Sequence, residues 1–136
     1  MKTAQNYGMR RTVSLPYAAA VEKTKEALQK QGFGVLAEID IREKLKEKLG
    51  VDFRRYVILG ACNPPLAHKA LQAEPEIGLL LPCNVIVRET QDGRVEVASV
   101  DPVVAMERTG NPALASTAEE VRRRLGNVIN HVRSRT

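Results

Sequence analysis

Residues 55–90, RYVILGACNPPLAHKALQAEPEIGLLLPCNVIVRET, decide how this chain folds. The apolar run at 56–61 is too short for a helix and predicts a central strand buried on both faces. Asn63 is placed to cap the next helix, with Pro64 in the first turn, where no amide donor is missed. Leu66, Ala70 and Leu71 form that helix's inward side, and Glu74 with Pro75 ends it. Residues 77–81 suit either a last helical turn or an extended approach, and Pro82 forbids a regular central strand at that point. A second strand follows at 83–90. Both cysteines of the chain, Cys62 and Cys83, therefore stand at element ends, each followed by an asparagine.

Downstream, Asp92-Gly93 marks a hairpin between 83–90 and a strand at 94–100. A two-residue turn would set Glu89 opposite Glu96 and mix apolar with charged residues on both faces. A three-residue loop, Gln91-Asp92-Gly93, instead pairs Arg88 with Glu96 and Val87 with Val97. It gathers Val85, Val87, Val95 and Val97 on one face and predicts a left-handed Gly93 in a bulge. Asp101 and Pro102 start a short helix at 103–108, stopped by Gly110. Asn111 and Pro112 open the longest helix, reaching about His131, with Leu114, Ala118, Val121, Leu125, Val128 and Val132 as its core-facing stripe. Arg122, Arg123 and Arg124 lie mostly off that stripe and read as a solvated face.

Upstream, residues 1–6 read as a frayed lead-in, and 7–14 as a modest edge strand. Ser14 and Pro16 then begin a helix whose buried stripe is Tyr17, Val21, Thr24 and Leu28, with Gly32 as its left-handed stop. Phe33, Val35, Ala37 and Ile39 alternate with Gly34, Leu36 and Glu38, the pattern of a strand with one half-buried face. Asp40 with Glu43 resembles a capping box. Ile41, Leu45 and Leu49 line one side of the short helix that it opens and Gly50 closes.

Length and composition bound the rest. A chain of 136 residues, 43% hydrophobic and 27% charged, is one ordinary globular domain, here 1–136 with its core at 7–132. With no tryptophan and 4% aromatics the core is aliphatic, and stacking platforms for single-stranded nucleic acid are missing. The net charge of +5 is spread over scattered arginine pairs instead of one basic element, which disfavours nucleic acid as a partner. No run approaches the ~18–20 apolar residues of a membrane span, and the N-terminus lacks a signal-peptide core. The expected compartment is the cytoplasm, where both thiols stay reduced. Strand, helix, strand, helix, strand, helix, hairpin and helices together predict an α+β fold. This is a two-layer α/β sandwich with one mixed sheet of about five strands packed against helices.

Several spaced segments resemble a known family. GFGVLAEIDI at 32–41, ILGACNP at 58–64, LLLPCN at 79–84 and the Asp101-Pro102 pair are similar to signatures of the family called domain of unknown function 302. The likeness covers roughly 7–132. It implies a two-layer α/β fold, a prokaryotic cytoplasmic setting and self-association, and it brings no activity with it. The family's two Cys-Asn motifs map onto Cys62-Asn63 and Cys83-Asn84.

Those motifs are the candidate site. Cys62 precedes a helix whose amides point back toward it, an arrangement that can lower a thiol's pKa. Cys83 can lie beside it if the two strands are neighbours, and His68, six residues past Cys62, is placed as a third ligand or base. Against this, a spacing of 21 residues matches no C-x-x-C motif, four zinc ligands are not visible, and free cysteines are commonly small buried hydrophobes. Asn63 is explained as a helix cap. Asn84 is not, because a strand-interior asparagine requires a hydrogen-bond partner, backbone or bound. Phosphate loops, nucleophile elbows, zinc-protease helices and paired catalytic carboxylates are all absent.

The sequence thus predicts a non-enzymatic domain that binds a small ligand or partner at an apolar cavity near Cys62, Asn63, His68, Cys83 and Asn84. No metal, cofactor or catalytic residue is assigned. The alternative is a thiol-dependent redox, sulfur-transfer or metal-binding protein with Cys62 as nucleophile and Cys83 as resolving thiol. The uncharged segment at 77–81 serves either as pocket wall or as a two-fold contact, and a homodimer is expected.

Overall fold

Two helices lie across one face of a five-stranded sheet in the computed structural model, which describes residues 7–133. The lead-in expected at 1–6 falls outside those residues. The elements run β1 (Gly8–Val13), α1 (Tyr17–Lys30), β2 (Gly34–Asp40), α2 (Ile41–Leu49), β3 (Tyr56–Cys62) and α3 (Pro64–Ala73). A 3-10 helix (Pro75–Leu80), β4 (Cys83–Glu89), β5 (Val95–Val100) and α4 (Pro102–Glu107) follow. A 3-10 turn (Pro112–Leu114) then leads into α5 (Ala115–His131).

The sheet order is β1-β5-β4-β3-β2, and every neighbouring pair is antiparallel. The α+β architecture and its five strands are as expected, but the sheet is not mixed. The reason lies in where the helices go. A parallel return from β3 to β4 would need a helix running back over the sheet. That face is held by α1 and α5, and α3 buries only Ala70. Residues 63–82 therefore form an excursion at one end of the sheet, and Ala61 pairs directly with Cys83.

Strand alternation puts Val57, Leu59, Ala61, Cys83, Val85, Val87, Val95 and Val97 on the helix side, all buried. They pack against Ala20, Val21, Ala27 and Leu28 of α1 and against Val121, Leu125, Val128 and Ile129 of α5. The other face of the sheet is open. Tyr56, Ile58, Ile86 and Arg88 are half-buried there, so β3 is covered on one face and not on both. A second, smaller apolar cluster of Ala70, Ile77, Met106, Leu114 and Ala118 joins the end excursion to α4 and α5.

Local signals hold closely. Gly32, Gly50 and Gly93 adopt positive φ, and Asp40 and Asn63 accept from the amides of Glu43 and Leu66 as N-caps. The hairpin has the three-residue loop, with Thr90 N–H donating to the Arg94 carbonyl at 2.8 Å and Arg88 opposite Glu96.

Three further expectations are corrected. In β2 a bulge inserts Leu36 between the pairs Val35–Ala61 and Ala37–Gly60, so Val35 faces the helices while Ala37 and Ile39 face the open side. The helix α2 buries no residue, and Leu49 at its end is 68% exposed. The arginine row of α5 is not merely solvated. Arg122 reaches the buried Asp101 carboxylate at 3.3 Å, and Arg124 donates to the Gln31 carbonyl at 3.0 Å and to Glu120. Hydrogen bonds from Arg123 and Arg124 hold the Glu120 carboxyl down to about 2.

Candidate functional site

The end excursion leaves a cavity of about 350 Å³ between the sheet, α3 and α5. Its floor is the Ala61–Cys83 strand pair. One wall is α3, through Leu66, Ala67, Ala70 and Leu71, spaced so that one side of the helix faces in. Met106 of α4 with Thr117 and Val121 of α5 form the opposite wall. Leu36, Gly78, Leu81 and Pro82 stand at the mouth, and the bulge in β2 is what leaves Leu36 69% exposed there. Side chains as small as alanine, glycine and cysteine line much of the space. No charged side chain does.

Both thiols reach this cavity. Cys83 points to the helix side by strand alternation. Cys62 has the opposite parity but is the last residue of β3, where the chain turns into the Asn63 cap, and it is half-buried. Burial, then the proximity of Cys62, pushes the Cys83 thiol up to about 11, so it is neutral at physiological pH. Asn63 also lines the cavity, but its amide is committed. Oδ1 accepts from Leu66 N–H at 3.3 Å, and Nδ2 donates to the Gln31 carbonyl at 3.5 Å.

The other two candidates are elsewhere. His68 sits on the exposed side of α3, because the inward positions are 66, 67, 70 and 71. Asn84 is exposed on the open face of the sheet, opposite Gly60. With Cys83 directed inward, its strand neighbour must point outward, and its amide is open to solvent. So Cys62, Asn63 and Cys83 come together, while His68 and Asn84 do not join them.

Sequence reasoning missed Thr117, Met106 and Leu36. Thr117 had a usable signal, since it lies four residues before Val121 on the core side of α5. Residues 77–81 divide. Ile77 is buried in the smaller cluster, Gly78 and Leu81 border the cavity, and Leu79 and Leu80 are exposed. Among the described residues no three His, Cys, Asp or Glu side chains gather as metal ligands, and no helix is long and apolar enough to cross a membrane.

The architecture defines a two-layer α/β domain with a helix-covered antiparallel sheet and an apolar end cavity. The chain belongs to the family described as domain of unknown function DUF302, whose profile matches residues 9–132. It is similar in structure to an uncharacterized conserved DUF302 protein of Bacillus stearothermophilus, solved by crystallography. The TM-score is 0.87 at 31% identity, covering 93% of this chain and 98% of that one. It is also 31% identical over 87 residues to an uncharacterized protein of Aquifex aeolicus (strain VF5). That match takes in 64% of this chain and 54% of the relative's length.

Proposed function

We propose that this domain binds a small apolar molecule in the cavity between β3–β4, α3 and α5, and that it does so without catalysing a reaction. The observation that carries this reading is the lining: about 350 Å³ of concave space walled mainly by apolar side chains and two thiols, with Asn63 and Thr117 as its polar members and no charged group. That volume is at the lower end of ordinary ligand sites. Apolar space of this kind holds water poorly and takes up hydrocarbon. A neutral, buried Cys83 thiol suits a wall better than a nucleophile, since the thiolate is the reactive form.

Naphthalene is a suitable probe because the chain has no tryptophan and its emission stands clear of tyrosine. Fluorescence anisotropy should show saturable binding of one naphthalene per chain. Ala67→Phe, which places a ring in the cavity from a half-buried wall position, should abolish that binding while leaving the melting temperature unchanged or higher. Absence of binding, or equal binding by Ala67→Phe, would overturn the proposal.

A further inference from the structure

The wall of α5 carries one polar group that the fold does not use. Thr117 is only 9% exposed, yet its hydroxyl has no hydrogen-bond partner among the described residues. A buried threonine in a helix ordinarily returns its hydroxyl to the carbonyl four residues back. Thr24 does so in α1, donating to the Ala20 carbonyl at 2.7 Å. For Thr117 the residue four back is Ala113, which lies in the 3-10 turn before α5, where the carbonyls no longer follow the α-helical direction. The hydroxyl is not sealed from solvent, and Thr117 lines the cavity as well as the neighbouring cleft of Lys69, Glu120 and Arg124.

We infer that the cavity takes an uncharged aliphatic molecule with a single hydrogen-bonding head group, an alcohol or a carbonyl compound, seated with that head on the Thr117 hydroxyl. This rests on the cavity being the binding site proposed above. The charge follows from the lining. A carboxylate, phosphate or ammonium group inside the cavity would lose water and meet no opposite charge among the lining side chains, since Lys69, Glu120 and Arg124 line the neighbouring cleft instead. The single head follows from the polar inventory: the Asn63 amide is engaged at Oδ1 and through Nδ2, Cys83 offers only a weakly donating thiol, and Thr117 is the polar lining side chain with no partner among the described residues. The size follows from the volume. At ~30 Å³ per water-sized unit, the cavity seats about a dozen heavy atoms. The exposed Leu36 and Leu71 at its mouth extend the apolar surface for a chain end that overhangs.

The experiment is displacement of bound naphthalene from the full chain by 1-decanol and by decanoate. Decanol should displace it at least ~30-fold more effectively than decanoate. Thr117→Val keeps the shape and removes the hydroxyl. It should weaken decanol about 5–10-fold, as expected for one hydrogen bond, while naphthalene, which has no polar group, binds as before. Thr117→Ser should restore decanol binding, and melting temperatures confirm that each variant is folded. Decanoate equal to decanol, or a decanol affinity indifferent to Thr117→Val, would overturn the inference and leave the cavity reading standing. Loss of naphthalene binding by the unmodified chain would instead remove both.

Discussion

Burial sets the chemistry of Cys83, and it does so in a way that alkaline titration can read. Below pH 9.0, the thiol's ordinary value, it is protonated in the folded and the unfolded chain alike, so the full stability is present. Between 9 and about 11 the unfolded thiol gives up its proton while the folded one keeps it, and stability falls as pH rises. At 1.36 kcal/mol per unit the loss is about 2–3 kcal/mol. Tyr17 acts in the same direction. Burial first, then the carboxylates of Asp40 and Glu89, pushes it up to about 12. Urea unfolding at pH 8 and pH 10.5 should therefore show a marked drop, and Cys83→Ala should reduce that drop. An identical drop in the variant would mean that the thiol titrates normally. The same residue shows how far the sequence could be read. That a cysteine ends one strand and starts the next was visible. That the following asparagine must face the opposite side of the sheet was also implicit in strand geometry, and reading Cys83 and Asn84 as one motif obscured it.

At the scale of elements, β3 and its neighbours are held by a close approach that only glycine allows. A Cβ at Gly60 would stand 2.9 Å from Cγ of Pro82 and 3.5 Å from Cβ of Ala37. The alanine contact is an ordinary van der Waals distance, but the proline one is too short, and a proline ring cannot swing aside. Gly60→Ala should destabilise the domain by roughly 1–3 kcal/mol, the usual cost of overpacking, measured as a shift of the urea midpoint with unchanged slope. A neutral outcome would show that Pro82 has room to move. Caps, turns and the hairpin register were legible because they depend on a few adjacent residues: Asp40, Asn63, the loop at 91–93. The bulge at Leu36 was not. It inserts one leucine into an alternating run, and nothing in GVLAEID distinguishes the extra residue from its neighbours, since the register is set by the partner strand.

At the scale of the whole molecule, the two apolar clusters are not separable units. Leu81 packs against both, and α5 supplies Val121, Leu125 and Val128 to the larger and Ala118 to the smaller. Thermal unfolding should be one cooperative transition, with equal calorimetric and van't Hoff enthalpies. A separate low-temperature step would detach the smaller cluster from the main core. The layer arrangement was readable from element order, and the strand directions were not. A helix between two strands usually signals a parallel crossover, and only the occupation of the sheet face by α1 and α5 shows that α2 and α3 do not make one.

The pairing of β1 with β5, Gly8 against Val100 and Val13 against Val95, bears on how the chain is made as well as on how it rests. On the ribosome β1 emerges first and its partner strand long afterwards, so a segment carrying Met9 and Val13 waits without a neighbour while the rest of the sheet assembles. Until β1 docks, the edge of β5 is unpaired; its own strand has the advantage of the tether, and exchange of β1 between chains is a misassembly that this topology opens only at high protein concentration.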